Sequence, residues 1–285
     1  MSENGLDPAT PFSAAFWEAA WDGLGDDFLA DSQRRHPHRW RRFYDSHGHL
    51  LRTMSGLGLR QGQAVVTLLW QQGLASARST VVDLGCGTGW LALPLALRGA
   101  RVVAVDTSSR ILEALGHRVA RMRVHTLEMQ HTCWTRMQVS EPYDLALAAC
   151  FPPALCPAGV TRMESLGRRC ALLVSAQDTG FFWVKNLWLA VCGHFPFSGG
   201  RHLQAALNYL LANQRRPNLL SIRLSRRVDI PLEQAIDFYS AYFSLFDCTG
   251  PRVTAAIERE MAPFAGLRRL KAAGEACLGL IWWER

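Results

Sequence analysis

The stretch Val81-Val82-Asp83-Leu84-Gly85-Cys86-Gly87-Thr88-Gly89 constrains the fold more than any other. A short apolar run of this kind reads as a strand buried on both faces, the sort found in a parallel sheet covered by helices. It runs straight into three glycines at alternate positions. Glycine permits a sharp turn there, and lets the backbone approach a ligand that a side chain would block. The loop N–H groups and the start of the next helix then face a polar ligand end. Alone, such a loop serves a dinucleotide equally well.

The rest of the chain follows the same rhythm. Further strands are expected at Arg101–Val105, Met122–Leu127, Tyr143–Ala149 and Cys170–Ser175, with helices at Leu91–Leu97 and Ser109–Arg121. Strands alternating with helices at this pace imply a parallel sheet with helices on both faces. A sixth strand is expected at Asn218–Leu224 and a closing one at Ala276–Trp283, with helices at His202–Gln214, Pro231–Leu245 and Thr254–Ala272. Before the first strand, 12–31, 38–54 and 62–75 have helical spacing. The expected fold is therefore α/β: a Rossmann-like, seven-stranded, mostly parallel sheet. A helical N-terminal cap occupies 1–77, and the core runs over 78–285 with a helical insertion at about 225–275.

The loop is GxGxG rather than GxGxxG, and Asp83 precedes it. Val81–Gly89 resembles the first motif of the class I S-adenosylmethionine (SAM) dependent methyltransferases, and the resemblance covers about 78–178. It implies SAM as cofactor. Asp83 would orient the methionyl part, and Gly85, Cys86, Gly87 and Gly89 would line it. Asp106 follows Gly85 by 21 residues at the end of the second strand, where the family's acid accepts the ribose hydroxyls. Thr107 would pack on the adenine. Glu128 is the candidate for the adenine amino group, with Met129 against the ring. Cys150 and Phe151 would lie near the transferred methyl. In that fold the sixth and seventh strands are usually joined tightly; here about fifty residues intervene.

The family's amino-group methylating members often carry Asn/Asp-Pro-Pro-Tyr/Phe after the fourth strand. The corresponding place here reads Phe151-Pro152-Pro153-Ala154, which lacks the polar residue and reads as a rigid loop. Aromatics crowd the preface (Phe12, Phe16, Trp17, Trp21, Trp40, Phe43, Tyr44) and the segments after the fifth strand. Most would be core. A flat or apolar acceptor pocket needs the same residues, and Trp17, Phe151, Trp183 and Tyr242 are the candidates. Tyr44 and His47 are the candidates for a catalytic role.

Net charge is +7, carried almost wholly by arginine, since only Lys185 and Lys271 are lysine. The one dense basic run is Arg34–Arg42, after an acidic start that has seven acids and no Lys or Arg over 1–33. An RNA or protein acceptor docked on that run is the alternative to a small-molecule methyl acceptor. A metalloid or thiol acceptor is another, prompted by Cys133, Cys150 and Cys156 and by the His-x-His pairs at 36–38 and 47–49. Those pairs lie in segments read as helix or loop, where alternating rings do not share a side, so no metal site is expected. The eight cysteines form no CxxC pair and read as reduced thiols. No apolar run is long enough to span a membrane and no leader is evident, so a cytoplasmic location is expected.

Overall fold

The computed structural model describes residues 13–26, 32–33, 35–176, 181–195 and 200–285. Phe12, Phe28, the 27–31 end of the expected first helix, Arg34 and Phe197 lie outside them.

Seven strands form one sheet: β1 (Thr80–Leu84), β2 (Arg101–Asp106), β3 (Leu127–His131), β4 (Tyr143–Ala149), β5 (Gly167–Ser175), β6 (Asn218–Pro231) and β7 (Arg269–Glu284). Their order is β3-β2-β1-β4-β5-β7-β6. The first five are parallel, and β7 runs antiparallel to both β5 and β6. The order reverses at β1, between β2 and β4. A crevice opens at the carboxyl ends of the strands at such a point.

The helices are α1 (Ala14–Asp22), α2 (Pro37–Ser55), α3 (Leu59–Gln71), α4 (Ala92–Leu97), α5 (Ser109–Arg121), α6 (Pro157–Leu166), α7 (Phe182–Cys192), α8 (Arg201–Ala212), α9 (Leu232–Ser244) and α10 (Pro251–Met261). Among the described residues none is long and apolar enough to cross a membrane. One face of the sheet buries Val81, Val102 and Leu145 against α3, α4 and α5. The other buries Val82, Ala146 and Leu172 against α1, α6 and α8. There Trp21 of α1 donates its indole N–H to His202 of α8 at 3.0 Å, satisfying two buried polar groups.

A third apolar cluster lies beside the sheet. Past the end of β5, β6 and β7 stay paired as a two-stranded ribbon up to Pro231↔Arg269. The ribbon carries α9 and α10, which pack with α7 and one side of α2 around Trp40, Phe43, Trp183, Trp188, Phe238 and Phe243. Thus α1 and α3 go to opposite faces of the sheet, and α2 packs on the insertion.

Several boundaries differ from expectation. The third strand begins where it was expected to end, because Met122–Thr126 forms the turn out of α5. β6 runs on through Ser225–Pro231, and residues 269–272 are strand instead of helix, so the insertion between the strands is 232–268. Helices α6 and α7 form where the sequence pattern predicts none.

Candidate active site

A cavity of about 420 Å³ opens at the switch point. Its floor is the β1 loop from Gly85 to Thr88 with Trp90 after it, Asp106 and Thr107 at the end of β2, and Cys150, Phe151, Pro152 and Pro153 beyond β4. Its roof is α2, which presents Pro37, Trp40, Arg41, Tyr44, Leu51, Arg52 and Ser55. These recur every three or four residues, so one helix face lines the space.

The glycines have distinct reasons. Gly85 has φ +65°, and a Cβ there would come within 2.2 Å of the Phe151 ring. Gly87 has φ +53°, and a Cβ there would meet nothing within 4 Å. Its α-carbon thus faces open space that a ligand can enter closely. Gly89 does not line the cavity; a Cβ there would strike Leu115 at 2.4 Å, so it sets the packing of the loop on α5.

Asp106 closes the floor. Its Oδ2 accepts the Gly87 N–H at 3.0 Å, and its Oδ1 accepts the Ser108 N–H at 2.9 Å. Burial raises its pKa above the ordinary carboxylate range, and those N–H groups oppose the rise. Each oxygen keeps a further lone pair for hydroxyl donors. Asp83 is 2% exposed and lies beneath the loop, outside the lining; its Oδ2 accepts the Ala92 N–H at 3.1 Å and so caps α4. Burial lifts the Asp83 pKa to about 7, with the Ala92 N–H opposing and Asp106 adding to it. Burial likewise pushes the thiol of Cys86 well up. Cys150, at the exit of β4, holds φ +51°, a strained value for a residue with a side chain.

Tyr44 faces the cavity and accepts a 2.7 Å hydrogen bond from Gln33 Nε2. Burial and then the nearby Asp106 charge keep its phenol protonated. His47 does not line the cavity. It stacks on Phe43 and its Nε2 lies 3.0 Å from Asp237 Oδ2, because its position on α2 faces α9.

Three of the four pocket aromatics are also elsewhere. Trp183 is 1% exposed, stacks on Phe181 and donates to the Tyr239 hydroxyl at 2.7 Å. Tyr242 stacks on Phe238 within the insertion cluster. Trp17 lies on α1, against Phe16. Only Phe151 reaches the cavity. Glu128 and Met129 are corrected too. Both sit within β3 at the sheet edge, where Glu128 accepts from Gln130 at 2.8 Å and Met129 is 36% exposed. The strand starts five residues later and ends four residues later than expected, so Thr132, Cys133 and Trp134 reach the cavity instead. Arg41, Arg52, Trp90 and Thr132 were missed; the three- and four-residue spacing along α2 is the signal that could have found its two arginines.

The basic run does not form one free face. Arg39 pairs with Asp247 at 2.9 Å and Arg41 turns to the cavity. Among the described residues no group of three or more His, Cys, Asp or Glu side chains is placed to hold a metal ion.

A sheet of this order, with a glycine loop after β1 and an acid ending β2, defines a Rossmann-like methyltransferase fold of class I. Residues 81–165 match the family described as "Methyltransferase domain". An uncharacterized protein from Haemophilus influenzae is 39% identical over 54 residues, 19% of this chain and 20% of that protein. The matched stretch thus spans about a fifth of that curated relative's length. Among solved structures, YcgJ from Bacillus subtilis is similar at 14% identity and TM-score 0.47, covering 78% of this chain and 98% of that one. Magnesium protoporphyrin IX methyltransferase from Synechocystis PCC 6803, with bound SAH, is similar at 16% identity and TM-score 0.47, covering 90% and 99%.

The class uses SAM, and the residues present fit it. Asp106 has oxygens that would accept from a ribose, Gly87 would leave room beside it, and Thr107, Thr132 and Trp134 would border the base.

Proposed function

We propose that this chain transfers the methyl group of SAM to a small, largely apolar acceptor held between α2 and the β4 exit. The observation that carries the reading is the joining of Asp106 to Gly87 at 3.0 Å on the floor of a cavity roofed by Trp40 and Tyr44. The chemistry supplied by bound SAM is in-line displacement at its sulfonium-bound methyl carbon. The chain's part is to hold the acceptor in line, for which a cavity lined by aromatic and apolar side chains is suited. Ala149 to Pro153 border the acceptor side of that space, with Leu51 and Leu57 opposite.

Among the described residues the lining contains no His, Lys or Glu. Tyr44 is held neutral and Asp106 is engaged by backbone N–H groups. The acceptor atom therefore arrives able to attack without a protein base, as a thiolate, a carboxylate or a free amine does. The acceptor side of the cap is α2 with the 232–268 insertion behind it.

Calorimetry tests the cofactor half. SAM and S-adenosylhomocysteine should bind, and Asp106→Ala should weaken both at least several-fold. Folded wild-type protein that binds neither would overturn the proposal. For the acceptor half, labelled methyl from SAM should appear in the small-molecule fraction of a cell extract, and label found only in RNA or protein would reverse that part.

A further inference from the structure

We propose that Arg52, near the C-terminal end of α2, clamps the carboxylate at the methionyl end of the cofactor. The inference rests on the SAM reading above and concerns which residue of this chain recognises that group.

Asp106 orients the argument. A ribose held there has Thr107, Thr132 and Trp134 on one side, which suits the base. The other end of the ligand must then run along Gly85–Thr88, toward Trp90 and the C-terminal half of α2. That end of the cavity is bordered by Arg52 and Ser55.

Arg52 is an exposed guanidinium that opens onto the cavity, and among the described residues no carboxylate is paired with it. The acids nearest the site are already engaged: Asp45 accepts from Ser108, and Asp106 accepts two backbone N–H groups. Meanwhile Arg118 donates to the carbonyl of Thr88. Burial first, then the charges of Arg52 and Arg121, lower its pKa. Positive charge is therefore gathered around the Thr88 end of the loop. An anion placed there relieves the repulsion and gains charge-assisted hydrogen bonds. The methionyl carboxylate is the one anionic group of SAM, and a planar guanidinium can hold it through two parallel bonds.

Decarboxylated SAM, which lacks only that carboxylate, isolates the contact. Calorimetry should show wild-type protein binding SAM about tenfold or more tightly than decarboxylated SAM, as expected for loss of a charge-assisted hydrogen bond. In Arg52→Gln the preference should collapse to within about twofold, through weaker SAM binding and nearly unchanged decarboxylated SAM binding. Arg52→Lys should restore part of it. Arg42→Gln removes the same charge from the same helix, outside the cavity lining, and should leave the preference intact. If Arg52→Gln weakens both ligands equally or neither, or if wild-type protein binds the two alike, the clamp is wrong. If wild-type protein binds neither, the SAM reading itself fails.

Discussion

Ser108 donates a 2.6 Å hydrogen bond to Asp45, joining the start of α5 to the middle of α2. Ser108 is 0% exposed, and its hydroxyl also accepts from the Ile111 N–H at 3.3 Å as the N-cap of α5. The roof of the cavity is thus bonded to the residue two after Asp106. Asp45→Ala should cost about 1–3 kcal/mol, since it leaves a buried hydroxyl without its acceptor. Chemical denaturation reads that loss, and calorimetry should show SAM affinity falling with it. Unchanged stability would show that the roof is held without this bond.

Asp83 makes stability depend on pH in an unusual direction. Its folded pKa is raised to about 7, against about 4 in an unfolded chain. Between those values the folded state holds a proton that the unfolded state has lost, so stability falls as pH rises through this window. Above about pH 7 the loss is complete. Asp83→Asn keeps an oxygen for the Ala92 N–H and cannot ionise. Its stability minus that of wild type should grow from pH 4 to pH 7 and stay positive at pH 8. A difference that is flat with pH would refute the assignment.

Gly85 cannot carry a side chain without moving Phe151, whose ring would lie 2.2 Å from a Cβ. Its φ of +65° adds about 1–2 kcal/mol of strain for any L-residue. Gly85→Ala should therefore weaken SAM binding by about tenfold or more while the protein remains folded by circular dichroism. Adding Phe151→Ala should recover part of the loss, because it removes the colliding ring. No recovery would assign the whole effect to backbone strain.

Cys192 at the end of α7 and Cys248 after α9 have sulfurs 3.2 Å apart. Hydrogen peroxide should join them: each thiol loses its hydrogen, a disulfide forms, and the peroxide is reduced to water. Burial first, and then Cys248, raise the Cys192 pKa to about 12, so thiolate is scarce at neutral pH. The reaction should quicken as pH rises and more thiolate forms. Mass spectrometry should show the loss of two hydrogens in wild type and not in Cys192→Ser. The same loss in that variant would point to a different pair.

The cofactor half of the site was legible because its signals are local. Val81–Gly89 and Asp106 lie on a strand, a turn and a strand end, and spacing alone carries them together. The third strand was misplaced because Leu127–His131 is an edge strand of mixed polarity, whereas the turn before it is the more apolar stretch at Met122 and Val124. That shift moved Glu128 and Met129 out of the site and brought Thr132–Trp134 in. β6 and β7 run past their expected bounds because Arg226 and Arg227, and the small residues Ala272–Gly274, do not look like buried strand. They continue as a two-stranded ribbon past the end of β5, where alternate residues face solvent. The aromatic helices were the least readable part. Trp183 and Tyr242 have the composition of a pocket and the neighbours of a core, and only long-range packing separates the two.

The ribbon makes residues 232–268 separable in construction from the cofactor floor, since both ends of that segment meet at the paired Pro231 and Arg269. A descendant chain could exchange it for another segment with the same two anchor points and keep its donor chemistry intact. Outright deletion is a different matter. It would strip cover from Trp40, Phe43, Val228 and Ile230, and a sticky flank of that kind sends a protein into aggregates before any change of selectivity can be scored.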